Sequence, residues 1–121
     1  MKMANLTMHV CLKRKRIILT RQLIRQLGNP SHLSFWYDEA NEGLIISAAS
    51  KDDLDAYEIP RYFWKYTNKS CDLSRQAFLK ALQYRLGWKD GVRYSFDGDF
   101  VQTKDAPAVV FHLAEEICCN S

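Results

Sequence analysis

The stretch RIILTRQLIRQLG at residues 16–28 contains the change of pattern that decides the fold. It begins with Ile17-Ile18-Leu19, a short β-branched run that favours a strand. Thr20 follows as a candidate helix cap, and Gly28 is a typical residue just past a helix end. Between them, apolar residues recur at helical spacing, at Leu23, Ile24 and Leu27. The stretch therefore predicts a strand that passes directly into a short helix.

Alternating apolar residues lie on both sides of this stretch. Residues 6–12 alternate with period two, and so do residues 33–37, which predicts a strand in each place. Residues 38–43 have the composition of a turn, and the apolar run at 44–46 predicts a strand that pairs back as a hairpin. The first half therefore predicts the order strand, strand, helix, strand, strand.

The second half repeats parts of the first. Thr20-Arg21-Gln22 recurs 54 positions later as Ser74-Arg75-Gln76, and residues 27–38 align without a gap with residues 86–97. The shared skeleton is Leu-Gly, four free positions, an apolar residue, two aromatic residues at alternate positions, and Asp. A repeat of this kind is typical of units that bury their apolar faces against each other.

The repeat predicts the rest of the second half. Tyr62, Trp64 and Tyr66 take the positions of Met8, Val10 and Leu12, and are expected in a strand. Residues 108–111 correspond to the fourth strand of the first half, and they follow a longer loop that contains Gly98 and Pro107. We predict one domain over residues 1–121, with half-repeats at about 5–48 and 60–114 and a connector at 49–59. The expected fold is α+β and mainly β, with two tandem ββαββ units sharing one β core as a pseudo-dimer.

Charge alternates along the chain in blocks. Residues 1–29 hold seven Lys or Arg and no acid, and residues 30–58 hold seven acids and one Lys. Residues 59–89 again hold seven Lys or Arg with one acid, and residues 90–121 hold six acids and two bases. Each half thus begins with a basic segment, which we call its basic front, and ends with an acidic segment, which we call its acidic back. If the halves pack about a two-fold axis, both fronts share a face that suits a phosphate backbone; ordinary solvated surface is the alternative.

The composition is that of an ordinary globular protein. The chain is 47% hydrophobic and 26% charged, with a mild net charge of +3. We see no N-terminal signal and no membrane span, and expect a cytoplasmic protein. No pair among the four cysteines has the Cys-x-x-Cys spacing of a zinc site, so reduced thiols are expected.

No catalytic motif is present, and we expect neither an enzyme nor a cofactor. A metal site at Asp52, Asp53 and Asp55 is disfavoured, since these acids fit no calcium-loop pattern. Six aromatic residues are candidates for stacking on bases of single-stranded nucleic acid, although core packing is favoured for them at strand spacing. The residues concerned are Trp36, Tyr62, Phe63, Trp64, Tyr66 and Trp88.

The order of elements resembles the AbrB/MazE-type swapped-hairpin β-barrel family. That family's pattern is a turn ending in Gly-Arg, an apolar strand, Ile-Pro, a helix and Leu-Gly, and residues 15–28 follow this order. Arg16 takes the place of the motif arginine. Lys15 stands where the motif has glycine, Thr20 where it has proline, and Lys69-Ser70 where the second copy would have Gly-Arg. Two copies in one chain look more like the tandem MraZ-type arrangement than a barrel formed by two chains.

The resemblance implies a bacterial DNA-binding transcription regulator whose first hairpin contacts double-stranded DNA. Only Arg16 is carried over from the motif, and the other residues are inferred from charge and placement. The expected DNA-binding residues are Lys13, Arg14, Lys15, Arg16, Arg21, Arg25, Lys69 and Arg75. The alternative is a protein-interaction module, antitoxin-like or scaffold-like, without DNA binding. A protein partner and a homodimer are both left open.

Overall fold

The computed structural model describes residues 6–67, 69–113 and 117–119. These residues form nine strands and three helices. The strands are β1 (Thr7–Cys11), β2 (Arg16–Leu19), β3 (His32–Asp38), β4 (Gly43–Ala49), β5 (Tyr57–Glu58), β6 (Cys71–Ser74), β7 (Arg93–Gln102), β8 (Pro107–His112) and β9 (Ile117–Cys119). The helices are α1 (Arg21–Gln26), α2 (Arg61–Lys65) and α3 (Gln76–Leu86).

Eight of the strands follow one another in a curled half-barrel sheet. Their order is β5-β3-β4-β8-β7-β1-β2-β6, each neighbouring pair is antiparallel, and β9 joins as a branch on β7. The prediction of a mainly β fold with short helices is confirmed at this level. The chain leaves β2 for β3 at the far side of the sheet, so the order in space differs from the order in sequence.

The local predictions for the first half are confirmed. β1, β2, α1, β3 and β4 occur in the predicted order, and β3 pairs with β4 around the turn that precedes Gly43. Both Leu-Gly pairs end helices, because Gly28 and Gly87 adopt left-handed backbone conformations, with φ of 85° and 68°. Thr20 is the N-terminal boundary residue of α1, but its hydroxyl accepts a hydrogen bond from the Thr7 N–H instead of capping the helix.

The strand predicted at Tyr62, Trp64 and Tyr66 is wrong, because residues 61–65 form α2. Alternation of aromatic residues indicates a strand, but the residue that is fully buried here is Phe63, between them. Pro60 is the N-terminal boundary residue of α2, and its carbonyl accepts a hydrogen bond from the Phe63 N–H at 3.1 Å. The two-residue strand β5 lies before α2, within the stretch predicted as a connector.

The long loop predicted around Gly98 is also wrong. Gly98 lies inside β7, paired with Phe111 of β8, and the turn between these strands occupies residues 103–106. A Cβ on Gly98 would lie 2.4 Å from the Val109 side chain and 2.8 Å from the Phe111 ring. Close packing of the β8 side chains over β7 therefore requires glycine within the strand.

The core lies on the inner face of the curled sheet. Alternate residues of the strands point into it, including Met8 and Val10 of β1 and Ile17 and Leu19 of β2, all of which are buried. The helices cover this face, with residues such as Leu23 in contact with the same core cluster. The opposite face of β6, β2, β1 and the start of β7 is left free to carry polar and charged side chains. Among the described residues no helix has the length and apolar character needed to cross a membrane.

Candidate nucleic-acid interface

The turn between β1 and β2 presents cations to solvent. The Lys15 N–H donates to the Leu12 carbonyl over 3.3 Å, which closes a tight turn, and Lys15 adopts a left-handed φ of 57°. Lys13 and Arg14 at the tip of this turn are exposed. The left-handed position is one that glycine adopts without strain, and it coincides with the motif glycine of the resembled family.

A row of side chains crosses three neighbouring strands on the outer face. Cys11 of β1 is in register with Arg16 of β2 on one side and with Arg93 of β7 on the other. Strands lie about 4.8 Å apart, so the Cα atoms of the two arginines are about 10 Å from each other. Next to this row His9 contacts Ser95, Nδ1 to Oγ, at 2.7 Å. Burial, together with the charge of Arg93, lowers the pKa of His9, so this imidazole adds no positive charge at neutral pH.

These side chains surround an open cavity of about 320 Å³, which we call the basic cavity. Among the described residues, four cationic side chains line it and come from three segments: Lys13 and Arg14 from the turn, Arg16 from β2 and Arg93 from β7. The remaining lining residues are Cys11, Ile18, Asp72, Gly91 and Val92. Cations that converge from separate segments on one cavity form a region of positive potential suited to a phosphate.

Asp72 is the acid that lines the basic cavity, and it is bound to Arg16. The Arg16 Nε donates to the Asp72 Oδ1 over 2.5 Å, and both side chains are about one-third exposed, at 37% each. The hydrogen bond to Asp72 and the charge of this carboxylate raise the pKa of Arg16. Arg16 is therefore partly neutralised, whereas no ion pair to Lys13, Arg14 or Arg93 is found among the described residues.

A second cavity of about 480 Å³ adjoins the first, and we call it the tyrosine cavity. It shares Arg16, Ile18 and Asp72 with the basic cavity, so the two cavities lie side by side on the outer face, and we call them together the groove. Its other lining residues are Tyr62, Tyr66, Lys69 and Ser70. The Tyr62 hydroxyl accepts a hydrogen bond from the Asp72 N–H at 2.7 Å and donates to the Asp72 carbonyl at 3.1 Å, which fixes the ring beside β6.

Arg21 is occupied in contacts within the protein. Its guanidinium lies 3.8 Å from the centre of the Phe63 ring and donates to the carbonyl of Phe63 at 2.8 Å and of Lys69 at 3.1 Å. A further hydrogen bond goes to the Tyr66 carbonyl. These carbonyls lie at and after the end of α2, so Arg21 satisfies acceptors that a helix end leaves unpaired.

Arg75 is occupied in a different way. Its backbone lies beside the turn, since the Arg75 N–H donates to the Lys15 carbonyl over 3.3 Å. The side chain is packed among three rings, with its guanidinium 4.9 Å from the centres of Phe35 and Tyr57 and 5.2 Å from that of Phe78. Its Nε is buried with no hydrogen-bond partner. The backbones of Arg16 and Arg75 are therefore close in space, since Arg16 is in register with Ser74, but the Arg75 side chain packs among the rings and not beside Arg16.

The predicted DNA-binding residues thus divide into two groups. Lys13, Arg14 and Arg16 share the basic cavity, and Lys69 lines the adjoining tyrosine cavity. Four others do not line this groove: Lys15, Arg21, Arg25 and Arg75. Of these, Lys15 reaches toward Asp90 at 3.9 Å and Gln83 at 3.5 Å, while Arg25 is exposed on α1.

Sequence reasoning missed Arg93, the fourth cation of the basic cavity. Arg93 falls in the last, acidic block of the chain and reaches the cavity only because β7 pairs with β1. A local pattern does not reveal this pairing. The alternation of apolar residues that begins beside Arg93 predicted a strand at this position, but it did not indicate which strand pairs with it.

The described cysteines, Cys11 and Cys71, are both free thiols. Burial, and then the neighbouring charge of Asp72, raises the pKa of Cys71 to about 12, so this thiol stays protonated at neutral pH. Cys118 and Cys119 lie outside the side chains that the structure describes. Across the described residues, no three His, Cys, Asp or Glu side chains are grouped so that they could hold a metal ion.

No family model, curated protein or solved structure matches the chain.

Proposed function

We propose that the chain is a DNA-binding regulatory protein that contacts the phosphate backbone through the basic cavity and the turn above it. The observation that supports this is the convergence of Lys13, Arg14, Arg16 and Arg93 on one open cavity. Asp72, the one acid among the described residues that line it, is already bound to Arg16. Phosphate oxygens would replace water around these cations and release condensed counterions from the DNA. Backbone contacts of this type position a protein on DNA without reading its sequence.

We further propose that two related units form the sheet in the manner of a swapped-hairpin barrel. Exchanging β1 with β5, β2 with β6, β3 with β7 and β4 with β8 reproduces the strand pairs of the sheet, except that β5 and β6 are not paired. Ile18 is in register with Asp72, 54 positions away, which is also the distance from Thr20 to its counterpart Ser74. In a two-fold arrangement, a residue on the axis pairs with its own counterpart, and this agreement supports the proposal.

A titration of duplex DNA against salt tests the proposed function. Binding should weaken as salt rises, and the double variant K13E/R14E should lower the slope of log affinity against log salt by about 2. Lys104→Glu is the matched control, because Lys104 is exposed in the turn after β7. The ten residues of β7 separate that turn from Arg93 by about 30 Å. Absence of binding at low salt, or an equal loss in the control, would rule the function out.

A protein-interaction module is the second candidate, and the opposite end of the sheet favours it. Trp36 is 67% exposed on β3 and is in register with Ile45 of β4, which is in register with Val110 of β8. These residues form an apolar stripe on the outer face, of the kind that partners cover. A partner recovered by pull-down should be lost in Trp36→Glu and retained in Arg14→Glu; the reverse result would exclude this surface.

A further inference from the structure

We propose that the groove formed by the basic cavity and the tyrosine cavity binds single-stranded DNA, with phosphates at the cations and a base against the tyrosine rings. This inference rests on the proposed function and specifies the form of DNA that the same face binds. The two cavities are adjacent, because Arg16, Ile18 and Asp72 line both of them. One extended ligand that passes over the Arg16–Asp72 pair can therefore contact both.

The two ends of the groove differ in chemistry as the two parts of a nucleotide do. The basic cavity carries cationic side chains, whereas the tyrosine cavity presents the side chain of Ile18 and the rings of Tyr62 and Tyr66. Single-strand binding proteins combine a cationic track for the backbone with aromatic rings on which bases stack. In a duplex the bases are paired and stacked on one another, so a duplex would engage the cations and leave the rings unused.

The protein holds Tyr62 by its hydroxyl and Tyr66 by its backbone, at atoms that a ligand need not disturb. Tyr62 is fixed through its hydroxyl by the backbone of Asp72, and the backbone of Tyr66 is fixed by Arg21, which binds its carbonyl. The Tyr66 side chain remains free of the core and the residue is 46% exposed. The Tyr62 ring, which is ordered before binding, loses little conformational freedom on contact with a base, and this favours stacking.

Core packing is the alternative role for aromatic residues in this chain, and residues other than Tyr66 have that role. Phe63 is fully buried and Trp88 is only 6% exposed, where it stacks with Tyr94 at 5.2 Å between ring centres. Tyr66 is not part of that core cluster. Its exposure beside Lys69 therefore has no packing explanation within the described residues.

The test compares a labelled thymidine strand of about 12 nucleotides with a duplex of the same length, by fluorescence anisotropy at low salt. The unmodified full chain should bind the single strand at least as tightly as the duplex. Tyr66→Ala should weaken single-strand binding roughly tenfold and duplex binding little, because only the unpaired base loses its stacking partner. Tyr66→Phe keeps the ring and should restore binding.

Two controls separate stacking from general effects. Tyr84→Ala removes a ring that is 93% exposed on α3, outside the groove, and should leave both affinities unchanged. Arg93→Ala should weaken the single strand and the duplex alike, because both carry phosphates. If the duplex binds and Tyr66→Ala affects neither ligand, this inference is overturned while the proposed function stands. If neither DNA binds, both are overturned.

Discussion

The chain enters β2 and β6 in two different ways, although these strands are neighbours in the sheet. It reaches β2 from β1 through the four residues 12–15, and it reaches β6 from β5 through the twelve residues 59–70, which contain α2. The short link leaves its cations at the tip of a turn, whereas the long link packs a helix against the core. The groove lies where these two links meet, with Lys13 and Arg14 from one and Tyr62 and Tyr66 from the other.

The two links also determine which groups form hydrogen bonds with the backbone N–H and carbonyl groups of β2 and β6. β2 has a strand on both sides, β1 and β6, whereas β6 ends the described sheet order. At this edge hydroxyl groups replace a strand: Tyr62 bonds to the backbone of Asp72, and the Tyr57 hydroxyl donates to the Ser74 carbonyl at 2.8 Å. An edge covered in this way is protected from pairing with another chain.

The largest effect is expected where the long link is anchored to the core. Phe63→Ala removes a ring that is fully buried, contacts Trp64 edge-on at 5.0 Å and lies under Arg21. We expect the free energy of unfolding to fall by about 4 kcal/mol, which is the sum of lost burial and the remaining cavity. Chemical denaturation followed by circular dichroism measures it. Tyr84→Ala, at an exposed site, is the control, and an equal effect in both would contradict the anchoring role.

The sequence predicted the short link well and the long link poorly, for physical reasons. β1, β2 and α1 are determined by local apolar periodicity and by Gly28, so their positions can be read from neighbouring residues. α2 depends on tertiary contacts, among them the burial of Phe63 beneath Arg21, and neither residue indicates the other in the sequence.

The candidate site likewise combines residues that local sequence reveals with residues that only the fold brings in. Arg14 and Arg16 belong to a visible basic run, and the structure brings both to the cavity. Arg93 depends on the pairing of β1 with β7. Arg21 and Arg75 carry the same charge as the others, but nearby carbonyls in one case and rings in the other engage them inside the protein. Charge is visible in the sequence, whereas the availability of that charge depends on the fold.

An intermediate effect is expected from the arginine that joins the two links. Arg21→Ala removes hydrogen bonds to the carbonyls of Phe63, Tyr66 and Lys69, together with a cation–π contact. In the variant these carbonyls lose a charged hydrogen-bond donor, and water replaces only part of the lost hydrogen bonding. We therefore expect the free energy of unfolding to fall by about 2 kcal/mol. Arg25→Ala, four positions along the same helix and exposed, should change stability by less than about 0.5 kcal/mol. Equal losses in the two variants would show that Arg21 acts only through its charge.

The smallest effect is expected at the sheet edge, where Tyr62→Phe deletes a single hydroxyl. The N–H and carbonyl of Asp72 would each lose their partner, at 2.7 and 3.1 Å, while the ring and its place in the groove stay. We expect a loss of about 1 kcal/mol, because water can reach this edge and replace part of the lost bonding. Hydrogen exchange is the sharper measurement: the Asp72 amide should exchange faster in the variant, whereas the Leu73 amide, which faces β2, should not. If the Asp72 amide keeps its protection without the hydroxyl, then a group other than the Tyr62 hydroxyl covers the edge of β6. The long link would in that case shield this edge by the packing of α2 and not by the hydrogen bonds of Tyr62.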